Sequence, residues 1–444
     1  MRRIILIILV ILPGLRTFAQ TDSTANTLFD LSLEDLLNLD LVDRNFYLYG
    51  YINSNFQKTF DVPFSNPDGE IRKESDPGEW IPVKNFHLYG QANLSDRVSF
   101  LFNIALNDGE SLEIRNAWGN FMIKEPIQVR VGKMYRKFGL YNERLDQIPT
   151  FIGIEAPEML DQDHLFLTRT TNFMVHGALK NARREISYAL MTDNGEGGPA
   201  RGLFPVGWDL RLKSYTNSFI IGTSGYTSSV NDTYATSTIA PRSGSPTGGI
   251  LPWMDAGKFT VAGVFLEKKL GNVIIQSEYY TSKHKSIRNA DATLQIIRDA
   301  GINTFQRNRF LGANAEKNNE MLQETDIIRD VNYTVQTWYV RAGYNLNTSI
   351  GQMVPYLFVD WMSHPENIRN KQFGGDDEAG LADDGTFWKP SIGIVYRPLP
   401  AVAIKLDGSY HSQKINNRQV TYPELRIDFS FAFSNAQLEK ALRN

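Results

Sequence analysis

The chain has 444 residues, with 46 Lys and Arg against 49 Asp and Glu and no Cys. Without Cys there is neither a disulfide framework nor a thiolate metal site. A slightly acidic balance with no basic stripe excludes a nucleic-acid-binding protein.

The first element is "MRRIILIILVILPGLRTFA". Arg2 and Arg3 precede an apolar run from Ile4 to Leu12, a Pro-Gly break, and small residues at Thr17 and Ala19. This pattern predicts a cleaved secretory signal peptide over residues 1–19, and its apolar run is too short for a spanning helix. No Cys stands near the cleavage point, which excludes a lipoprotein anchor. Without Arg2, Arg3 and Arg16 the basic residues fall to 43 against 49 acidic ones, a balance of −6. The remaining chain of about 425 residues suits two or three ordinary domains or one large barrel. No later apolar run reaches membrane-helix length, so a bilayer leaves one option, a closed β-barrel.

Residues 20–45 are expected to form a periplasmic N-terminal segment. Leu33, Leu36 and Leu37 have helical spacing, and Ser32 is a suitable N-cap. A short tether or plug helix follows from this. "SLEDLLNLDL" is similar to the segment before the plug of TonB-dependent receptors over these ten residues only, which implies an outer-membrane address.

From residue 46 the chain alternates apolar and polar residues in segments of about ten, as barrel strands do. In "YPELRIDFSFAF" Leu425, Ile427, Phe429, Phe431 and Phe433 share one face, with Glu424, Arg426, Asp428 and Ser430 on the other. Phe46, Leu48, Ile52 and Phe56 oppose Tyr47, Tyr49, Tyr51, Asn53 and Asn55 in the same way. Sixteen such segments are predicted, at 46–57, 83–94, 97–107, 112–123, 127–136, 170–180, 184–192, 207–215, 219–229, 257–267, 272–283, 331–345, 352–363, 387–397, 401–411 and 421–433. Those at 112–123 and 331–345 have mixed phase, which suggests bulges. The connections alternate between short ones and long ones rich in Gly, Asn and Asp, such as 58–82, 137–169, 230–256, 284–330 and 364–386. This predicts an all-β, antiparallel transmembrane barrel over 46–433 with short periplasmic turns, long extracellular loops and a C-terminal extension over 434–444. Trp208, Trp361 and Trp388 then fall at the outer strand ends, where an aromatic girdle belongs; Trp118 and Trp338 do not fit it.

"VRVGKMYRKFGLYNE" (129–143) runs from the fifth strand into the third outer loop. It resembles the "VGQFKxPFGLE" signature of the phosphate-selective porin O/P family at Val131, Gly132, Lys133, Phe138, Gly139, Leu140 and, loosely, Glu143. "IRNAWGNF" (114–121) is similar to the segment that precedes that signature. The chain departs from it at Lys137, where the family has Pro. The resemblance implies an outer-membrane porin, with residues 137–169 as the loop that narrows the pore. Sixteen-stranded porins form trimers, so a homotrimer is the implied assembly, although no residue pattern marks a trimer face.

Phosphate selectivity does not follow from the charges. The predicted phases turn Arg115, Arg130, Arg136, Lys180, Arg211, Lys213, Lys389, Arg397, Lys405 and Arg426 inward, with Glu113, Glu185, Asp209, Glu278, Asp360, Asp407, Glu424 and Asp428. The loop adds Lys137, Arg144 and Arg169 against Glu143, Asp146, Glu155, Glu158, Asp161 and Asp163. An anion filter concentrates one sign at its narrowest place; this lumen is mixed and its loop is net acidic. The pore-lining candidates are Arg115, Arg130, Arg136, Lys137, Glu143, Arg144, Asp146, Glu155, Glu158, Asp209, Arg211 and Lys213. Arg115, Arg130 and Arg136 are expected to face the loop carboxylates across the eyelet.

"DQDH" (161–164) and "GGDDEAGLADDG" (374–385) are acidic but lack calcium-loop spacing, and the six His show no metal-site pattern. No cofactor is implied. The leading function is passive diffusion of small hydrophilic solutes or ions, with a phosphate-selective channel as a variant. The expected partners are lipid bilayer, lipopolysaccharide and the barrel-assembly machinery. The alternatives are a barrel enzyme, for which no nucleophile signature is present, and an adhesin or scaffold using the long 284–330 loop.

Overall fold

Alternation along each segment becomes one antiparallel sheet that closes on itself. The structure, a computed structural model, describes Leu33 and residues 46–65, 71–107, 111–160, 165–166, 168–195, 204–230, 249–368, 370, 373, 384–415 and 418–435. The signal peptide, residues 20–45 apart from Leu33, the extension beyond Asn435, "DQDH" and residues 374–383 lie outside them. The wall consists of β1 (Phe46–Thr59), β4 (Glu79–Ser95), β5 (Val98–Asn107), β6 (Ser111–Lys124), β7 (Ile127–Tyr135), β8 (Arg169–Lys180), β9 (Arg184–Asp193) and β10 (Val206–Ser214). It continues through β11 (Phe219–Val230), β12 (Met254–Leu270), β13 (Val273–Arg288), β14 (Asp330–Tyr344), β15 (Leu346–Thr348), β16 (Gly351–Ser363), β17 (Thr386–Leu399), β18 (Val402–Ile415) and β19 (Arg418–Ser434). A hairpin of β2 (Val62–Ser65) and β3 (Ile71–Glu74) decorates the first long connection.

Each strand pairs with its sequence neighbours, and β1 closes the ring on both β4 and β19. β14 and β15 share one place, because both pair with β16, so the wall has sixteen places among the described residues. All sixteen predicted segments are strands. Closure leaves no edge to template aggregation. Both ends of the wall lie at the rim that carries the short turns.

Register aligns Tyr279, Trp338, Trp361 and Trp388 as direct partners across β13, β14, β16 and β17. Trp338 stacks on Trp361 at 6.2 Å and meets Trp388 edge-on at 5.7 Å. Trp338 therefore belongs to an outward aromatic row, against the sequence expectation. The phase of its segment is mixed because the pattern inverts beyond the row: Asn332, Thr334 and Gln336 point outward while Tyr333 and Val335 are buried inward. Lys258 and Thr260 against Phe259 and Val261 repeat this on β12. Beyond the row the apolar medium is inside the wall, supplied by the long loops, and the outside is polar.

The other mixed segment contains the expected bulge. Partners run from Asn103 with Asn116 to Ile104 with Ile114, leaving Arg115 as the extra residue. The shift turns Trp118 inward, where Arg130 lies 4.0 Å from its ring, and this is why Trp118 is absent from the aromatic row.

The outer half of the lumen holds the largest apolar cluster. Helices α1 (Ala290–Asp299) and α2 (Thr304–Leu311) are capped by Asn289 and Asn303, whose side chains accept the N–H groups of Ala292 and Gln306. Leu294, Ile297 and Phe310 from these helices join Trp253, Phe259, Phe138 and Phe166 in it. At the opposite rim, buried Leu33 packs in a smaller cluster with Tyr47, Tyr49 and Tyr51.

Candidate functional site

After β7 the chain turns into the lumen rather than away from it. Asn142 fastens the base of this loop, its amide donating to the carbonyls of Arg136 at 2.7 Å and Thr168 at 3.1 Å. Gly139 has φ of +64°, a left-handed conformation that glycine adopts without a Cβ penalty. A Cβ there would lie 1.9 Å from Glu278 Oε2 and 2.5 Å from the Tyr280 hydroxyl. This close approach lets the Glu278 carboxylate accept the backbone N–H groups of Leu140 and Tyr141 at 3.0 and 3.1 Å. The hydroxyls of Tyr280 and Tyr339 complete its shell at 2.9 and 2.8 Å. The Phe-Gly-Leu run is thus a docking surface for a buried wall carboxylate.

Further on, the loop meets the wall at one contact after another. Arg211 donates to Glu143 and to the Gly139 carbonyl, both at 2.9 Å, while Asp209 orients the guanidinium at 2.5 Å. Arg144 pairs with Glu267 at 3.0 Å. Arg341 donates to the Tyr141 hydroxyl at 2.9 Å and to the Glu155 carbonyl at 3.0 Å. The Lys405 ammonium caps the Gly153 carbonyl at 2.9 Å, and the Glu158 N–H donates to Asp360 at 2.6 Å. Glu155 ends the crossing, held by Lys389 and by Arg426 at 2.5 Å. Glu278, Tyr339, Asp360 and Lys389 each neighbour in sequence one residue of the aromatic row and partner one another across the strands. The loop is therefore docked at the level of that row.

Electrostatics in the loop follow from these partners. Burial works against the charge on Glu143, but Lys137, Arg211 and Arg130 outweigh it and hold the carboxyl down at about 2. Glu143 pulls the Lys137 ammonium upward, yet burial and Arg211 together leave it below the ordinary lysine range. Burial pushes the Tyr141 phenol up, so it stays a neutral donor and acceptor.

The predicted residues separate into groups. Asp146 collects Arg115 at 3.9 Å, Arg169 at 3.7 Å and the Asn103 amide at 3.3 Å. Glu143, Asp209 and Arg211 form a second group, with Lys137 4.0 Å from Glu143. Arg136 is wholly buried, clamping Asp193 at 2.6 Å and the Tyr226 hydroxyl at 2.7 Å. Arg130 lies on Trp118 and reaches Asn120 at 3.4 Å instead of a loop carboxylate. Lys213 is exposed near the short-turn rim, with Tyr215 as its aromatic neighbour. Of the expected opposition of Arg115, Arg130 and Arg136 to Glu143, Asp146, Glu155 and Glu158, Arg115 meets Asp146 directly and Arg130 acts on Glu143 by its charge. The cations facing Glu155 come from β17 and β19, across the barrel.

Glu267, Glu278 and Arg341 are wall residues that the site reading missed. Its sequence phase turns Glu278 inward, but nothing local in the sequence ties it to the loop. The phase inversion in β14 concealed Arg341, and placing Trp338 outward would have turned it inward. Beside the crossing loop a polar cavity of about 310 Å³ remains, between Ile154, Glu155 and Glu158 on the loop side and Asn53, Asn55, Gln57, Lys84 and Asn85 on the wall. Lys389, Arg426 and Asp428 also line it.

No protein-family model matches the chain, and no curated protein matches it in sequence. Among solved structures the fold is similar to an anion-selective porin from Comamonas acidovorans, at 9% identity over 87% of this chain and 99% of that one, with a TM-score of 0.50. Salmonella typhi OmpF in complex with daunomycin covers 88% and 99% at 12% identity and a TM-score of 0.49. The outer membrane channel DcaP of Acinetobacter baumannii covers 87% and 97% at 10% identity and 0.48. At these identities the likeness is one of fold, a closed porin-type barrel.

Proposed function

We propose that this chain is an outer-membrane porin, a passive channel for small hydrophilic solutes or ions, with residues 137–169 as its constriction loop. The observation that carries this reading is the polar cavity left between the crossing loop and the amide-rich wall of β1 and β4. A lumen lined by Asn, Gln and paired charges replaces the water a small solute sheds, and no chemistry is required of it. The outward apolar face and aromatic row fit a bilayer, so the lipid, the barrel-assembly machinery and export through a signal peptide belong to the same reading, as does a homotrimer.

Basic and acidic groups share the cavity lining, with Lys84, Lys389 and Arg426 against Glu155, Glu158 and Asp428. This mixture favours general small-solute passage over the phosphate preference implied by the family resemblance. Purified protein in planar bilayers tests the reading. Steps of uniform conductance are expected, and persistent silence from correctly folded protein would overturn it.

A further inference from the structure

Beyond the aromatic row, three exposed lysines share the outward face of two adjacent strands. Lys258 on β12 and Lys285 on β13 are direct cross-strand partners, and Lys283 lies two residues closer to the row, opposite Thr260. Among the described residues none of the three has a hydrogen-bonding or ionic partner. Like charges placed opposite each other in a sheet are destabilising, so this arrangement calls for an anion from outside the chain. The nearby carboxylates among the described residues do not supply it. Asp255 is engaged by Arg329 at 2.9 Å and by Asn289 at 2.7 Å, and Asp330 stands opposite Ile287, farther from the row than Lys285. Thr334 and Gln336 on the same face add neutral donors.

Height along the barrel selects the occupant. Aromatic rows sit at the lipid headgroup level. A strand rises about 3.3 Å per residue, and a barrel strand is tilted by roughly 40°. Lys283 and Lys285, four and six residues beyond Tyr279, therefore stand about 10 and 15 Å above that level. The patch faces sideways, along the membrane plane, at the height of a glycolipid's sugars rather than its acyl chains.

We propose that Lys258, Lys283 and Lys285 form a binding site for the phosphate-bearing sugar region of outer-leaflet lipopolysaccharide. This rests on the outer-membrane reading above. Ammonium groups here take the place of the divalent cations that otherwise bridge neighbouring glycolipid phosphates.

The test uses the full chain in detergent with two probes, a short-chain lipopolysaccharide and the same lipid after enzymatic removal of its phosphates. Wild-type protein is expected to retain the phosphorylated lipid through gel filtration, in the presence of EDTA, and to bind the dephosphorylated lipid more weakly. Each lysine near an anionic surface contributes roughly fivefold in affinity, so K258Q/K283Q/K285Q should bind at least about tenfold more weakly. K414Q, at an exposed position on β18, should bind as wild type does. Unchanged binding by the triple variant, equal binding of both lipids, or loss of binding with EDTA alone each overturns the proposal. The triple variant's heat-shifted gel mobility and channel conductance report its folding. Wild-type conductance in lipopolysaccharide-free bilayers, without lipid retention, sinks this site and leaves the channel reading standing.

Discussion

Glu278 accepts the backbone N–H of Leu140 at 3.0 Å, joining an inward carboxylate of β13 to the loop that leaves β7. Two backbone donors and two phenols converge on this one buried group. Hydrogen bonds to a charged acceptor contribute roughly 1.5–3 kcal/mol, and Glu278 is 2% exposed, so water cannot substitute. Glu278→Gln should destabilise the loop by about 2–3 kcal/mol, seen as a lower midpoint for heat-induced loss of the compact gel band and as noisier channel current.

Gly139→Ala should reproduce that phenotype, because the added Cβ meets the same carboxylate in a left-handed backbone. The left-handed conformation alone costs about 1–2 kcal/mol for alanine. Combined with Glu278→Gln, the two effects should fall short of additive, since both remove the same contact. Full additivity in the melting midpoints would contradict the docking role.

Glu155 and Arg130 should differ in their effect on ion selectivity. Glu155 borders the cavity with Lys389 and Arg426, whereas Arg130 is occupied by Trp118. One charge about 4 Å from a passing ion in water-like surroundings is worth about 1 kcal/mol, roughly fivefold in relative permeability. Reversal potentials in a salt gradient should move toward anions by this order in Glu155→Gln and stay near wild type in Arg130→Ala.

Acid should loosen the loop late. The folded carboxyl of Glu143 is held at about 2, below an ordinary glutamate at roughly 4.3. A depressed pKa contributes stability that is present in full above the unfolded value and is lost as pH falls through the folded one. Channel current should therefore stay quiet from neutral pH to about 4.5 and begin to flicker as pH approaches 2. Glu143→Gln should flicker across the whole range. Flicker that starts in wild type near neutral pH would count against this anchor.

Glu366 organises the long outer loop. Arg288 pairs with it at 2.7 and 3.0 Å, and Arg309 reaches the same carboxylate. Arg288 and Glu366 are almost wholly buried, and removing one partner of such a pair typically costs about 3–5 kcal/mol. Glu366→Gln should expose residues 290–328 to limited proteolysis while the barrel remains intact.

The predicted strands could be read from sequence because each is a local record of two media. An apolar outside and a polar inside impose period two along most of each segment, and all sixteen are strands. The same reasoning erred at Trp338 and concealed Arg341, because the media exchange sides beyond the aromatic row. It set Trp118 apart from the aromatic row, as the structure does, and one extra residue at Arg115 is what reverses the phase there.

From sequence alone came the strand number, the rim that carries the short turns, and the position of residues 137–169 as a long connection at the opposite rim. Those properties depend on near neighbours in the chain and on turn length. Tertiary structure alone decided that Glu278 receives Leu140 and Tyr141, that Arg136 is buried against Asp193, and that Glu155 crosses to Lys389 and Arg426. Those partners are 57 to more than 200 residues apart, and many polar groups along the chain were chemically acceptable for each. The choice among them was made by closure of the barrel, which brings distant strands to one level of the lumen.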